Sequence, residues 1–312
     1  MKPDLLLMQA MLDRTEKLLA NICEVHRLFA SQDRDALFHS LAHRIRAVAT
    51  GGMLGLSREL MDRLPALEII AVNGIGTDAV DLDEARRRGV RVTTTPDVLT
   101  DDVADLAMAL LLAAFRRLCE SDRFVRAGRW PMAGLPVARR VTGKRLGILG
   151  LGRIGRAIAR RAEAFAMPVS YTDLRAAEGV SYRFVPDLVD LAENVDALVV
   201  AASGGAGSKH LVNTRVLNAL GPEGVLINVA RGSVVDEVAL VAALVDGRLG
   251  GAGLDVFTNE PNVPSALWSM EQVVLQPHRA SATLETRADM GDLLVANLAA
   301  HFAGQALPAA VA

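Results

Sequence analysis

Two doubly wound α/β domains, each built on a parallel sheet, are what this sequence predicts, one flavodoxin-like and one of the Rossmann type. Three observations predict it. The chain has 312 residues, more than one typical core organises. Short apolar runs alternate with helical patterns along nearly its whole length, the mark of βα repetition and so of a parallel sheet. Gly150, Gly152 and Gly155 form G-x-G-x-x-G between a strand-like run and a helix-like one. There the backbone must turn tightly, approach a pyrophosphate and let a helix pack on its strand.

Taken in order, strands are expected at 4–8, 24–29, 45–49, 67–72 and 90–93, with helices through Leu18 and at 36–42, 57–64 and 81–88. Gly51-Gly52 and Asn73-Gly74-Ile75-Gly76 follow strands. They fall on the carboxyl edge, where open parallel sheets bind ligands, although such glycines also serve tight turns. A long helix is expected from Thr100, its N-cap, to Leu118, followed by the polar loop Ala127-Gly128-Arg129-Trp130-Pro131. Six strands come next, at 146–149, 169–172, 197–201, 224–228, 252–256 and 272–275, the number a complete dinucleotide domain needs. An amphipathic helix over 284–302 is expected to cross back. The substrate domain is therefore read as 1–98 with 285–312, and the dinucleotide domain as 99–284.

Charge and composition narrow the function. With 34 Lys+Arg against 36 Asp+Glu, there is no electrostatic case for nucleic acid or an anionic membrane. The longest uncharged apolar run, 106–115, is far shorter than the roughly 20 residues of a membrane span, and the N-terminal segment carries charges too early for a signal peptide. A cytoplasmic enzyme of small-molecule chemistry is expected. Cys23 and Cys119 have no metal-ligand spacing around them, so buried reduced thiols and no metal site are expected.

Asp173 stands 21 residues beyond Gly152, after the second strand of the βαβ unit, where the fingerprint places an acid for the ribose hydroxyls. Three ionisable residues follow later strands: Arg231, Glu260 and His278. Hydride transfer to a 2-oxo acid requires a cation for the carboxylate and ketone, an acid to protonate the oxygen, and an anion to keep that acid charged. Any one of the three has an ordinary structural reading; jointly they fit the chemistry.

The segments Asn228-Val229-Ala230-Arg231-Gly232-Ser233, Gly253-Leu254-Asp255-Val256-Phe257 with Glu260-Pro261, and Gln276-Pro277-His278-Arg279-Ala280-Ser281 resemble the signatures of the D-isomer-specific 2-hydroxyacid dehydrogenases. Gly74-Ile75-Gly76-Thr77-Asp78 and Thr95-Pro96-Asp97-Val98-Leu99 are similar to that family's glyoxylate, hydroxypyruvate and hydroxyphenylpyruvate reductases. The resemblance implies that Arg231 binds the substrate's carboxylate and keto oxygens, that His278 is the acid/base, and that Glu260 hydrogen-bonds His278 and helps it keep its proton. Gly52, Ile75 and Gly76 would meet the substrate. For the cofactor it implies Gly150, Gly152, Arg153, Ile154 and Gly155 at the pyrophosphate, and Asp173 and Arg175 at the adenosine ribose. Asp255 would meet the carboxamide, and Val229, Ala230 and Ser281 would line the pocket. Trp130 would reach into a partner subunit's site, making the enzyme a homodimer, or would only pack at an interface.

Two departures bear on specificity. Relatives that use NADP carry small and basic residues where this chain has Asp173, so NAD is favoured, with NADP as the second choice because Arg175 could accommodate a phosphate. Arg279 stands where relatives carry an aliphatic residue; it could act on His278, bind an acidic substrate group or point away. Glu260 itself argues against formate oxidation, which needs no proton on oxygen and uses Gln there. Met53 and Leu54 lean toward tolerance of an apolar substituent. The alternative is a dinucleotide-sensing binding protein like the related corepressors, which keep the same triad.

Overall fold

Strands that are apolar on both faces need helices above and below, and both units of the computed structural model, which describes residues 2–311, are built in that way. The first unit comprises Met1–Leu99 and Ser281–Ala312, the second Thr100–Ala280. In chain order the first runs β1 (Asp4–Leu7), α1 (Asp13–Ile22), β2 (Glu24–Arg27), α2 (Arg34–Leu41), β3 (Ile45–Gly51), α3 (Arg58–Asp62), β4 (Ile69–Asn73), α4 (Leu82–Arg88) and β5 (Arg91–Thr93). The second runs α5 (Thr100–Arg116), α6 (Leu118–Arg126), β6 (Leu146–Leu149), α7 (Arg153–Glu163), β7 (Val169–Thr172), β8 (Arg183–Phe184), α8 (Leu188–Glu193), β9 (Ala197–Val200), α9 (Thr214–Leu220), β10 (Val225–Asn228), α10 (Glu237–Val245), β11 (Gly251–Leu254) and β12 (Val273–Leu275). Helix α11 (Leu284–Phe302) then returns to the first unit.

In the first unit five parallel strands follow the order β2-β1-β3-β4-β5, the flavodoxin-like winding. Alternate residues of its strands feed two cores: Leu6, Val48 and Ile70 face one, with Phe38 and Met61. Leu5, Leu7 and Ile69 face the other, with Leu19 of α1 and Leu294 and Leu298 of α11. This is the period of two that a strand buried on both faces must show.

The second unit has seven parallel strands in the order β12-β11-β10-β9-β6-β7-β8, one more than the six expected. The additional β8 is only two residues long, too short for any periodicity, and is held by register with β7 and by the Tyr171–Phe184 ring pair at 5.4 Å. Two more expectations are corrected. Thr100 is the first helical residue rather than its cap, and the long helix breaks at Arg117, whose left-handed backbone (φ 51°) separates α5 from α6. The units divide at Leu99/Thr100 and Ala280/Ser281. Leu99 is buried, and residues 281–283 lead into the start of α11, where Thr283 Oγ1 caps the Thr286 amide at 3.1 Å.

Candidate active site and dinucleotide cradle

Because every strand of the second sheet is parallel, all of its carboxyl ends meet at one edge. The strand order reverses between β6 and β9, and such a switch point leaves a crevice for ligand. Gly150 leaves β6 with φ 93°, and a Cβ there would lie 2.7 Å from Ala202 Cα. A Cβ on Gly155 would lie 2.1 Å from the Gly150 carbonyl oxygen, so α7 can approach the turn only without one. Gly152 differs: a Cβ there would meet nothing within 4 Å. It is the N-cap of α7, whose first turn includes Arg153 and Ile154 and contains no acid. A loop closed by glycines beneath, open above, and placed at a helix start, where the first amides have no acceptor within the helix, fits a pyrophosphate.

Asp173 follows β7 as expected, but its carboxylate does something the sequence does not reveal. Oδ2 accepts the Leu151 N–H at 2.8 Å and Oδ1 the Leu174 N–H at 2.8 Å. It therefore clasps the glycine loop to the end of β7. Arg175 and Arg156 line an open recess with it.

At the end of β10 the buried Asn228 shapes the next turn: its Oδ1 accepts Ala230 N–H at 3.1 Å and its Nδ2 donates to the Arg231 carbonyl at 3.0 Å. Val229 and Ala230 are buried, and Arg231 emerges with Nη1 donating to the Ala230 carbonyl at 2.7 Å. A Cβ on Gly232 would lie 2.0 Å from the Phe257 carbonyl carbon, so this glycine allows the loop after β10 to abut the loop after β11. Asn228 and Gly232 were both visible within the motif; their positioning roles arise only from these contacts.

Beyond β11, Asp255 is fully buried and holds the turn that carries His278. Its carboxylate accepts the Arg279 and Ala280 amides at 2.7 and 2.9 Å, and its carbonyl accepts the His278 amide at 2.8 Å. Burial pushes the Asp255 carboxyl above the ordinary range, against the pull of those two amides. His278 sits in the left-handed region, φ 52°, an unfavourable conformation for a residue with a side chain that the surrounding bonds must enforce. Its Nδ1 lies 2.7 Å from Glu260 Oε2, while Glu260 Oε1 accepts the Phe257 amide at 2.9 Å. Burial alone would raise the Glu260 carboxyl. The His278 hydrogen bond, the Phe257 amide and the positive charges of His278 and Arg231 outweigh it, and the group is held below the usual carboxylate range.

Arg231, Asp255, Glu260 and His278 are thus brought together at one sheet edge. Arg279 uses its amide in this turn, while its exposed side chain has no hydrogen bond or ion pair among the described residues. Trp130 lies in irregular chain after α6 and is 72% exposed.

Gly52, Ile75, Gly76 and Ser281 belong to the first unit. There the loops after β3 and β4 touch, a Cβ on Gly52 being 3.0 Å from the Gly76 carbonyl. Thr95 donates its amide to the Gly74 carbonyl at 2.9 Å. The amides of Ile75 and Gly76 have no partner among the described residues, and two successive free N–H groups suit a carboxylate. Among the described residues no group of three or more His, Cys, Asp or Glu could hold a metal, and no helix is long and apolar enough to cross a membrane.

Residues 108–280 match the NAD-binding domain of the D-isomer-specific 2-hydroxyacid dehydrogenases. The chain is 49% identical over 281 residues to glyoxylate/hydroxypyruvate reductase A of Arabidopsis thaliana, covering 90% of each chain. It is 53% identical over 266 residues to hydroxyphenylpyruvate reductase of Plectranthus scutellarioides, covering 85% of each. The structure superposes with a TM-score of 0.92 and 43% identity on the NADPH-dependent glyoxylate/hydroxypyruvate reductase of Sinorhizobium meliloti solved with NADP and malonate, covering 100% of this chain and 97% of that one. The protein is an oxidoreductase that binds NAD(P). From its motifs, its fold and these likenesses, the chain belongs to the D-isomer-specific 2-hydroxyacid dehydrogenase family.

Proposed function

We propose that this chain is a cytoplasmic, homodimeric reductase of small 2-oxo acids, of the glyoxylate and hydroxypyruvate type, yielding D-2-hydroxy acids. The observation that carries the proposal is the 2.7 Å contact between His278 Nδ1 and Glu260, next to Arg231. With Nδ1 donating to a carboxylate, the imidazolium has only Nε2–H left to give, and that is the proton a ketone oxygen needs. Glu260 keeps the ring oriented and offsets its charge. Arg231 binds the carboxylate and polarises the ketone, the planar fork suiting both oxygens. Bound NAD(P)H supplies the hydride; with the His278 proton, one carbonyl becomes one alcohol and the charges balance.

The second unit is proposed to hold the cofactor. Gly150, Gly152, Arg153, Ile154 and Gly155 cradle the pyrophosphate, Asp173 and Arg175 border the ribose, and Asp255, Val229 and Ala230 lie toward the nicotinamide. In the first unit, which also contains Ser281, the free amides of Ile75 and Gly76 beside Gly52 suit a carboxylate. The dimer reading is supported by Leu118, Val125, Trp130, Met132 and Val137, large apolar side chains left exposed on α6 and the chain after it. Burying them against a second copy places Trp130 in a position to shape substrate. The sensing alternative has no support among the relatives described, each of which is named as a reductase.

The test is turnover of glyoxylate, hydroxypyruvate, pyruvate and phenylpyruvate with NADH and NADPH, with chiral analysis of the product and light scattering for the mass. Absence of turnover with all four, or an L-product, overturns the reading.

A further inference from the structure

Resting on the reading that this chain reduces 2-oxo acids, we infer that Gln9 and Asn73, backed by Thr95, form a subsite for neutral hydroxyl groups on the substrate's carbon chain. They select hydroxylated 2-oxo acids over those with an alkyl or aryl substituent. The register of the first sheet places these residues in one row. Leu7 pairs with Ala49 and Gly51 with Asn73, so Gln9, two residues past Leu7, stands beside Gly51. Thr95, two residues past the Thr93 that pairs with Ala71, completes the row, its amide on the Gly74 carbonyl at 2.9 Å. Strand residues two apart share a face, here the face that carries Leu7, Ala49 and Ala71. That row below is wholly buried and apolar apart from Thr93. The end row is polar. Gly51 leaves room in its middle, and the Gln9 carboxamide fills it: a Cβ on Gly51 would lie 2.4 Å from Gln9 Oε1 and 2.7 Å from Nε2.

None of the three polar side chains has a hydrogen-bond partner among the described residues. Asn73 is 9% exposed and Thr95 fully buried, and Asn73 Oδ1 and Thr95 Oγ1 are both shut away without a bond. Buried polar groups left unpartnered are destabilising and rare. Here two of them share a row with a third unpartnered group, the half-buried Gln9 carboxamide. The row lies directly before the two loops whose free amides suit a carboxylate: Gly52 follows Gly51, Ile75 is two residues after Asn73, and a Cβ on Gly52 would lie 3.0 Å from the Gly76 carbonyl oxygen. Carboxamides and a threonine hydroxyl can each donate and accept, which matches an alcohol. With no charged side chain in the row, a second carboxylate or a phosphate has no counter-charge there. Met53 and Leu54, which favour an apolar substituent, are 58% and 49% exposed and lie past the row in the loop after β3.

Substrate pairs that differ only in a hydroxyl test this: hydroxypyruvate with pyruvate, and 4-hydroxy-2-oxobutanoate with 2-oxobutanoate. Gln9→Met and Asn73→Leu keep the side-chain size and remove the hydrogen-bonding groups. Each should lower kcat/KM for at least one hydroxylated substrate by about tenfold or more and for its unhydroxylated partner by less than about threefold, as where a site loses its hydrogen bonds to a substrate hydroxyl. NAD(P)H affinity should be unchanged in both. Gln9→Met, at a half-buried position, carries the test if Asn73→Leu does not fold. Variants that slow both members of each pair alike, or neither, overturn the subsite and leave the reductase reading intact. A wild type that turns over none of the four overturns that reading and the subsite with it.

Discussion

Glu260 divides its two oxygens between His278 Nδ1 at 2.7 Å and the Phe257 amide at 2.9 Å. The backbone of its own loop therefore holds the carboxylate in place while the ring uses it, and the one ring nitrogen left over is Nε2. A carboxamide cannot accept at both positions, because one of the two oxygens becomes an NH2 donor.

Glu260→Gln should lower kcat for ketone reduction by about 10²-fold, the order general acid catalysis supplies. Steady-state kinetics at saturating NAD(P)H checks it, and an unchanged kcat argues against the pairing. The substitution also has a stability consequence that depends on pH. The Glu260 carboxyl is held low in the folded state, so its contribution is complete above the ordinary value of about 4.3 and is lost as pH falls through the folded one. The difference in denaturation free energy between wild type and Glu260→Gln should be largest above about pH 5 and close on acidification.

Gly152→Ala separates ligand space from folding. Its Cβ would meet no atom within 4 Å and its φ is −72°, so the melting temperature should hold within about 2 °C, the range of a surface substitution. NADH affinity should fall at least tenfold, as fluorescence titration would read, because the added methyl occupies the place of the pyrophosphate.

Gly232→Ala should do the reverse. A Cβ 2.0 Å from the Phe257 carbonyl carbon must push apart the two loops that carry Arg231 and Glu260, at a cost of about 1–3 kcal/mol typical of overpacking. Chemical denaturation and kcat should fall together, with dinucleotide affinity at the glycine loop less affected.

Asp255→Ala leaves the Arg279 and Ala280 amides without the acceptor that holds the His278 turn. A loss of about 1–3 kcal/mol is expected for buried groups left unpaired, with kcat reduced even at saturating NAD(P)H. Retention of wild-type kcat would show that the turn is held without Asp255.

Burial pushes the Cys23 thiol up to about 11, so at pH 8 it is protonated as well as inaccessible. Iodoacetamide should leave Cys23 unlabelled in the native protein, and mass spectrometry should find it modified only after unfolding.

The local grammar of the chain was enough to determine the βα rhythm, the glycine fingerprint and the carboxyl-edge positions of Arg231, Glu260 and His278, because apolar periodicity and strand ends are properties of contiguous residues. Tertiary structure decided the rest. Strand β8 is two residues long and exists only through pairing with β7. The break at Arg117 carries no Gly or Pro to announce it. Asp173 was legible as an acid after the second strand, but not as the acceptor of the Leu151 amide 22 residues earlier. Arg156 and Arg175 share a recess because a helix packs on a strand, and Asp255 became the holder of His278 because β11 and β12 lie side by side. A hydrogen bond or a cavity wall depends on distances between segments far apart in the chain, and side-chain order along a sequence does not specify those distances.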